Sequence, residues 1–219
     1  MSVKIIQTAD GSNSLHHEVL DETYHSIHGA IQESKHVFID AGLKQLNKKN
    51  EIQILEIGLG TGLNTLLTFL ENKHQKIHYT AIEAFPISMS ISENLNYIQL
   101  LNATKQEHVF KTIHSCEWNT PIFLNEYFVF KKVLTTLQNF KPTQTFDLVY
   151  FDAFGPKVQP ELWTEEIFTK IYFTISTKGI LVSYCAKGEV KRILKKVGFE
   201  VETLPGPPGK REMTRASKK

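Results

Sequence analysis

Residues 54–64 read Ile-Leu-Glu-Ile-Gly-Leu-Gly-Thr-Gly-Leu-Asn, and this stretch decides the fold of the chain. An apolar run of strand length ends in glycines at positions 58, 60 and 62, and a helical pattern follows them. Glycine lets the backbone turn sharply and lets a ligand approach where a Cβ would stand in the way. The stretch therefore predicts a buried strand, a tight loop and the start of a helix.

The spacing of the glycines separates two kinds of nucleotide-binding loop. The dinucleotide fingerprint GxGxxG requires glycine at position 63, where this chain has Leu63. The GxGxG spacing, with Glu56 directly before it, resembles motif I of the class I S-adenosylmethionine-dependent methyltransferases. A plain strand-to-helix turn explains a lone glycine cluster equally well, and the lack of a Walker lysine argues against a P-loop.

Strand and helix patterns alternate through the rest of the chain, which predicts an α/β fold with a parallel sheet and helices on both faces. Further strands are expected at 77–82, 146–151, 179–185, 200–204 and 212–216, and helices at 64–71, 86–95, 160–175 and 188–197. Two short runs, 110–114 and 127–133, are interpreted as a third strand and an inserted hairpin. Residues 1–50 are expected to form an extension, with strands at 3–8 and 14–17 and a helix over 32–46, that packs on a core domain of residues 51–219.

Two acidic residues end predicted strands, which is where ligands of such sheets bind. Glu83 ends the second strand of the core, 21 residues after Gly62, and a carboxylate there can accept hydrogen bonds from both hydroxyls of a ribose. This favours a nucleoside cofactor, either NAD or S-adenosylmethionine. Asp152 ends a central strand, and a carboxylate there can hold an amine N–H, orient the lone pair and favour loss of the proton during nitrogen methylation.

Four segments together resemble the MnmC-like, or MnmD, tRNA methyltransferases. They are residues 22–39, the glycine loop 56–64, residues 150–156 with 160–164, and the stretch from 184 to 216 that contains Leu-Pro-Gly-Pro-Pro-Gly-Lys-Arg-Glu-Met. The glycine loop is shared with many methyltransferases, whereas the other three segments are specific in combination. The resemblance implies a Rossmann-like fold with a mostly parallel seven-stranded sheet, and methyl transfer from S-adenosylmethionine to the aminomethyl nitrogen of 5-aminomethyl-2-thiouridine at the tRNA wobble position.

The resemblance also implies roles for individual residues. The cofactor would be bound by the glycine loop, by Glu83 and by the N-terminal segment, through Glu56, Gly58, Gly60, Gly62, Glu83, Tyr24, Ser26, Gly29 and Glu33. Asp152 would be catalytic, and the tRNA would be contacted by Phe154, Trp163, Lys187, Lys210, Arg211 and Arg215. The residue that contacts the adenine stays unassigned within 101–141. Because no second glycine-rich nucleotide motif is present, the chain resembles the stand-alone methyltransferase form, which would act after a separate oxidase.

The distribution of charge supports a polyanionic partner for the C-terminal part. The chain carries 25 Lys and Arg against 23 Asp and Glu, a formal charge of +2. Residues 1–186 hold 15 basic and 19 acidic side chains, a charge of −4, and residues 187–219 hold 10 and 4, a charge of +6. A solvated lysine-rich surface is the plain alternative. With the resemblance in view, the basic end is expected to face the tRNA anticodon arm.

The composition indicates the class of protein and the cellular compartment that we expect. A hydrophobic content of 41% with 22% charged residues is globular and excludes a disordered chain. The two cysteines, Cys116 and Cys185, form no CxxC pair, and neither a signal peptide nor a membrane span is evident, so a cytoplasmic protein with reduced thiols is expected. His25 and His28 are close in sequence, but no acid or cysteine set completes a metal site, so no metal is expected.

Three other functions compete with this hypothesis. An aminopropyltransferase related to spermidine synthase shares the fold, but a pair of acids is expected around the loop after the fourth strand. Here Asp152 is followed by Ala153 and Phe154, with no second acid before Glu161. A small-molecule amine methyltransferase is a further alternative. A non-catalytic RNA-binding module is the third, and the intact glycine loop with Glu83 and Asp152 argues against lost chemistry.

Overall fold

The computed structural model describes residues 2–219 as two sheets and their connecting helices. The strands are β1 (Val3–Gln7), β2 (Asn13–His17), β3 (Glu22–Thr23), β4 (Glu51–Ile57), β5 (Lys76–Glu83), β6 (Ile122–Asn125), β7 (Phe128–Leu134), β8 (Phe146–Phe151), β9 (Ile175–Ser183), β10 (Glu200–Pro205) and β11 (Glu212–Ser217). The α-helices are α1 (Ala30–Ser34), α2 (Leu63–Glu71), α3 (Met89–Ser92), α4 (Tyr97–Leu100), α5 (Glu107–Ser115), α6 (Glu165–Thr174) and α7 (Gly188–Val197). A π-helix spans Lys35–Asp40, and 3-10 turns lie at Leu43–Leu46, Thr104–Gln106 and Pro160–Leu162.

The large sheet places the predicted functional strands side by side. Its order is β10-β11-β9-β8-β4-β5-β7-β6, and the central pairs β7·β5, β5·β4, β4·β8 and β8·β9 are parallel. The carboxyl ends of β4, β5 and β8 therefore meet at one edge of the sheet. In the register between β4 and β8, Ile57 faces Phe151, so Gly58 and Asp152 follow at the same level.

Each face of this sheet packs against helices, as the alternating side chains of β4 require. Ile52 and Ile54 belong to one apolar cluster with side chains of α2, α5 and the N-terminal segment. Leu55 and Ile57 belong to a second cluster with side chains of α6 and α7. The α/β fold expected from the sequence is confirmed, and two packed layers hold the central strands rigid beneath the loops at their carboxyl ends.

The sheet has eight strands, so the expectation of seven was one too few. β6 pairs antiparallel with β7 as an added edge strand. Residues 110–114, interpreted as a strand, lie within α5, because Val109, Phe110 and Ile113 repeat at helical spacing on one buried face. The third parallel strand is β7, whose pattern is obscured by Lys132, a lysine only 2% exposed that donates to the carbonyl of His114.

Helix boundaries differ from the expectations at three places. Residues 32–46 form α1, the π-helix and a 3-10 turn in place of one α-helix, and residues 86–95 form only the short α3. The segment 160–175 begins as a 3-10 turn and becomes α6 after Thr164, and its last residue starts β9, which begins earlier than the expected 179. The ends of α7 match the prediction, since Gly198 stops this helix with a left-handed φ of 118°.

The N-terminal segment shares the core of the large sheet. β1, β2 and β3 form their own antiparallel sheet. Leu15, Ala30, Val37 and Phe38 are buried in the same apolar cluster as residues of β4 and α2. Hydrogen bonds from Asn13 to Asn94 and Asn96 fix the small sheet beside the segment that follows β5. This packing brings residues 22–33 over the carboxyl edge of the large sheet.

Replacing the N-cap of α6 tests the local account of this fold. The Thr164 hydroxyl accepts a hydrogen bond from the amide of Ile167 at 3.3 Å, which satisfies one of the free N–H groups of the first turn. We expect Thr164→Ala to lower the free energy of unfolding by about 1 kcal/mol in urea denaturation, whereas Thr164→Ser keeps most of it. Equal stabilities of all three proteins would show that this cap contributes nothing.

Candidate active site

A cavity of about 1170 Å³ opens at the carboxyl edge of the large sheet. Its floor is the glycine loop between β4 and α2, and its walls come from the ends of β5, β7, β8 and β9, from the N-terminal segment and from the loop between β10 and β11. This volume lies at the upper end of the range of ligand pockets, about 300–1,000 Å³, which leaves room for a nucleoside cofactor and a second reactant.

The glycine loop requires glycine for two separate reasons. Gly58, Gly60 and Gly62 have φ angles of 90°, 50° and 72°, in the left-handed region that side chains disfavour. A Cβ at Gly58 would also lie 2.7 Å from the carbonyl oxygen of Asp152. Any other residue at position 58 would therefore push the loop away from β8. The predicted loop is confirmed, and its backbone lies open along the cavity.

Glu83 is fixed to the glycine loop at the end of β5. Its two carboxylate oxygens accept hydrogen bonds from the amides of Gly60, at 3.0 Å, and Phe85, at 2.8 Å. The side chain lines the cavity, and each oxygen has a further lone pair for a ligand. The structure therefore fixes the orientation of this carboxylate at the edge of the cavity, where the sequence predicted a ribose contact.

The wall beside Glu83 was missed by sequence reasoning. Residues 135–138, Thr-Thr-Leu-Gln, follow β7 and line the cavity, and the amide of Thr135 donates to the carbonyl of Glu83 at 3.0 Å. Phe85, 62% exposed, lies on the same side. Residues 127–133 were interpreted as part of an inserted hairpin and not as the third parallel strand, so the residues that follow them were not assigned to the site. They offer neutral polar groups and no acid at this end of the cavity.

Asp152 lies at the opposite end, where β8 enters its loop. Its carboxylate accepts a hydrogen bond from the side-chain amide of Asn64, the second residue of α2, at 2.8 Å. Burial raises the pKa of Asp152 to about 7, the nearby Glu33 carboxylate adds to the rise, and Asn64 and Lys210 oppose it. A carboxyl group with a pKa near neutrality can hold and release a proton under ordinary conditions. Asn64 was not assigned a role from the sequence.

The N-terminal segment covers the cavity with the predicted residues Tyr24, Ser26 and Glu33, all of which line it. The ring of Tyr24 packs edge-on against Phe154 at 5.1 Å, and a Cβ at Gly60 would touch this ring at 3.3 Å. Burial, with the charge of Glu83, raises the pKa of Tyr24 to about 12, so its hydroxyl stays protonated. Glu33 accepts a hydrogen bond from the amide of Ser26 at 2.9 Å, which ties the segment together.

Gly62 does not line the cavity, since a Cβ there would point to the His114 ring at 3.0 Å. Three more of the predicted cofactor and base-stacking residues also lie outside it. Glu56 is fully buried beneath the glycine loop and accepts a hydrogen bond from Thr65, so it cannot touch a cofactor in this arrangement. Trp163 is 4% exposed and packs on Phe151 with its indole N–H donated to the carbonyl of Phe154, so it cannot stack on a base. Gly29 lies behind the wall, against Asp10.

The predicted basic residues divide into two groups. Lys210 lines the cavity and forms an ion pair with Glu33. Arg215 lies on β11, away from the cavity, and both its Nε and Nη2 donate to Glu202 at 3.0 Å. Its guanidinium is therefore engaged in the sheet, which corrects its assignment as an RNA contact. Lys187 and Arg211 are exposed outside the cavity.

One histidine of the cavity wall, His25, is held neutral. His25 is buried between Ser14 and Thr61, and burial lowers its pKa to about 4. Among residues 2–219, no group of three or more His, Cys, Asp or Glu side chains could hold a metal ion. Every helix in the same range is too short or too polar to cross a membrane.

The parallel sheet, the left-handed glycine loop, the anchored Glu83 and the buried Asp152 define a class of enzyme, the S-adenosylmethionine-dependent methyltransferases. A family profile described as S-adenosyl-L-methionine-dependent methyltransferase matches residues 97–219, more than half of the chain. The chain belongs to this family, and its cofactor is S-adenosylmethionine. The glycine cradle fits the group, because it leaves open the space that Cβ atoms would fill.

Two relatives are similar over nearly the whole chain. The tRNA 5-methylaminomethyl-2-thiouridine biosynthesis bifunctional protein MnmC of Leptospira interrogans is 30% identical over 210 residues, which cover 90% of this chain and 32% of that protein. The crystal structure of MnmC2 from Aquifex aeolicus superposes with a TM-score of 0.80 at 27% identity, covering all of this chain and 70% of that one. The chain spans about a third of the length of the curated relatives it matches.

The fold is also shared with the rival enzyme class. Spermidine synthase from Thermotoga maritima superposes with a TM-score of 0.54 at 16% identity, over 99% of this chain and 73% of that one. At this identity the likeness establishes the fold alone. The choice between the two chemistries therefore depends on the side chains of the cavity.

Glu56 provides a test of the burial beneath the loop. Burial, with the charge of Asp152, raises its pKa from 4.5 to about 8, so the folded protein holds a proton that the unfolded chain releases above pH 4.5. Stability is therefore lost as the pH rises from about 4.5 to 8. We expect the free energy of unfolding of Glu56→Gln, relative to the original protein, to increase across this window and then level off. A difference that does not vary with pH would contradict the buried, protonated Glu56.

Proposed function

We propose that this protein transfers the methyl group of S-adenosylmethionine to the aminomethyl nitrogen of 5-aminomethyl-2-thiouridine at the wobble position of tRNA, giving 5-methylaminomethyl-2-thiouridine. The observation that carries the proposal is the position of Asp152, a carboxylate with a pKa near neutrality at the far end of the cofactor cavity. The names of the relatives, which concern biosynthesis of this tRNA nucleoside, support the substrate. The setting we propose is the cytoplasm, after a separate oxidase has acted.

Different residues of the cavity would bind the cofactor and the substrate. The backbone of Gly58 and Gly60 would hold the methionine part, and Glu83 would accept the ribose hydroxyls. Residues 135–138 and Phe85 would enclose the adenine, through polar contacts and packing. This orientation directs the sulfonium toward Asp152, whose negative charge favours a positive group beside it. Residues 1–50 would close the cavity over residues 51–219.

Asp152 would prepare the substrate amine for the reaction. The attacking nitrogen needs a free lone pair, so an ammonium group must first lose a proton, and Asp152 can accept it. Asn64 holds the carboxylate in position by its hydrogen bond at 2.8 Å. The bound cofactor supplies an electrophilic methyl carbon. As nitrogen bonds to that carbon, the carbon–sulfur bond breaks and its electrons return to sulfur, and the new secondary ammonium then loses its remaining excess proton to water.

The RNA would be bound by exposed cations near the start of α7. Half of the ten basic residues after position 186 form an ion pair, as in Lys191–Glu212 and Lys196–Glu165. Within the part of the chain that the structure describes, four exposed cations of this region form no ion pair, namely Lys187, Arg192, Lys195 and Arg211. Phe154 lines the cavity, where it can pack against the uridine base.

An aminopropyltransferase remains the alternative to be tested. Its expected pair of acids around the loop after β8 is not matched by the sequence, although the structure brings Glu33 near Asp152 from the N-terminal segment. The test incubates the protein with radiolabelled S-adenosylmethionine and tRNA that carries 5-aminomethyl-2-thiouridine. The proposal requires label in that nucleoside. A parallel assay supplies putrescine and decarboxylated S-adenosylmethionine labelled in its aminopropyl group. Label in the polyamine, with none in tRNA in the first assay, would reverse the choice.

Replacing the carboxylate by an amide tests the role of Asp152. Asp152→Asn keeps the size and the contact with Asn64 but cannot take a proton, so we expect turnover to fall by about 10²–10⁴-fold. Calorimetry should find binding of S-adenosylhomocysteine largely retained, because that ligand lacks the methyl group. Turnover within a few-fold of the original would remove Asp152 from catalysis.

Removing two unpaired cations tests the RNA contact. If Lys187 and Arg211 each neutralise a phosphate, Lys187→Gln with Arg211→Gln should weaken tRNA binding and reduce the slope of log K against log salt by about 2. The matched control is Lys73→Gln with Lys76→Gln. It removes the same charge from the loop before β5 and from the first residue of this strand, at the amino-terminal edge of the sheet. A slope that both double variants share would place the RNA elsewhere.

A further inference from the structure

A buried ion pair joins two distant parts of the chain at the Asp152 end of the cavity. Lys210, in the loop between β10 and β11, forms an ion pair with Glu33 of α1, whose side chain is 7% exposed. The other carboxylate oxygen of Glu33 accepts a hydrogen bond from the amide of Ser26 at 2.9 Å. Both oxygens are therefore engaged, and the pair has a defined geometry.

The same lysine is placed against the wall that carries Asp152. Its ammonium lies 4.0 Å from the ring centroid of Tyr184, a favourable position for a cation over an aromatic face. The hydroxyl of Tyr184 donates to the carbonyl of Ala153 at 2.8 Å, directly after Asp152. Gly209 packs so tightly against His28 that a Cβ there would lie 1.9 Å from the His28 ring. The loop is thus held close to the N-terminal segment.

Charged and titratable groups face Asp152 from every element around it. Glu56 lies below it on β4, Glu33 comes from the N-terminal segment, Lys210 from the last loop and Tyr184 from the end of β9. The Glu33 carboxylate disfavours ionisation of Asp152. Tyr184 stays neutral because burial raises its pKa well above the usual range. Lys210 is the cation that opposes the acids.

We propose that Lys210 and Glu33 are positioning residues of the transfer reaction, a pair that sets the charge of Asp152 from opposite directions while it holds the last loop against the N-terminal segment. Lys210 favours the ionised carboxylate that accepts a proton from the substrate amine. Glu33 orients Lys210 and limits how far the lysine charge stabilises the ionised form of Asp152. Asp152 can therefore also release the proton after the transfer. The catalytic role of the pair rests on the proposed function. Because Lys210 is engaged with Glu33, we no longer assign it as a contact to the phosphates of the tRNA.

Two cofactor analogues test the pair without RNA. Sinefungin carries an amine where S-adenosylmethionine has its methyl sulfonium, whereas S-adenosylhomocysteine is uncharged there. The ratio of their affinities, measured by calorimetry from pH 5 to 9, reports the negative charge beside the transferred group. As the pH falls and Asp152 takes up a proton, the preference for sinefungin should decrease. Asp152→Asn should abolish that decrease, which assigns it to Asp152.

The two members of the pair should move this titration in opposite directions. Lys210→Met removes the opposing cation, so the midpoint should rise by about 0.5–1 pH unit, and Glu33→Gln removes an anion, so it should fall by a similar amount. Lys210→Arg keeps the charge and should restore the original midpoint. Lys76→Met removes a lysine from the far edge of the sheet and should leave the midpoint unchanged.

The outcome separates positioning from simple bracing. If the pair had only a structural role, both variants would lose affinity or thermal stability, but their titration midpoints would not move in opposite directions. Unchanged midpoints, or midpoint shifts of the same sign, would therefore overturn the inference. Failure to methylate tRNA would instead contradict the proposed substrate, because neither analogue contains RNA. Where Glu33→Gln does not fold, equal midpoints for Lys210→Met and Lys210→Arg would be sufficient to reject the inference.

Discussion

The parallel pairing of β4 with β8 is the constraint on which the rest of the site depends. It brings the Cα of Gly58 so close to the carbonyl of Asp152 that a Cβ would lie 2.7 Å away. The loop that we propose to hold the cofactor and the carboxylate that we propose to meet the substrate are therefore parts of one contact. Apolar clusters on both faces of the sheet hold these strands, so the distance between the two reactants is set by the core.

Around this contact the chain builds a cavity with two different ends. The Glu83 end is made of strand ends that are close in the sheet, and its hydrogen bonds involve backbone amides. The Asp152 end is made of segments that are far apart in the sequence, since Glu33 and Lys210 are 177 positions apart. The first end suits a nucleoside that many enzymes of this fold share, whereas the second is where substrate specificity can differ.

The sequence predicted the parts of this site that depend on local pattern. The glycine loop, Glu83 and Asp152 each follow an apolar strand, so their place at the carboxyl edge followed from alternation of strands and helices. Residues 127–133 were predicted as part of a hairpin, and β7 does pair antiparallel with β6, but its place as the third parallel strand was missed. The buried Lys132 interrupts its apolar pattern and satisfies its charge through a contact with α5 that only the fold creates. Residues 135–138 were missed for the same reason.

The roles of polar and aromatic side chains were predicted less well, because they depend on partners. Trp163 and Arg215 stand in motifs that favoured contact with RNA, yet one packs on Phe151 and the other pairs with Glu202. Glu56 precedes the glycines but points into the core. The roles of such side chains can be assigned only when the residues that surround them in the fold are known. The same limit applied to Lys210, whose partner Glu33 belongs to the other end of the chain.

We propose that the cofactor lies between Glu83 and Asp152, with its transferred group facing the carboxylate of Asp152. A crystal structure of the protein with bound sinefungin tests it most directly, because the amine of this analogue stands where the methyl group would be. We expect the ribose hydroxyls to donate hydrogen bonds to Glu83 and the amine to lie within hydrogen-bond distance of the Asp152 carboxylate. An analogue bound with its amine directed away from Asp152, or with its ribose away from Glu83, would contradict it.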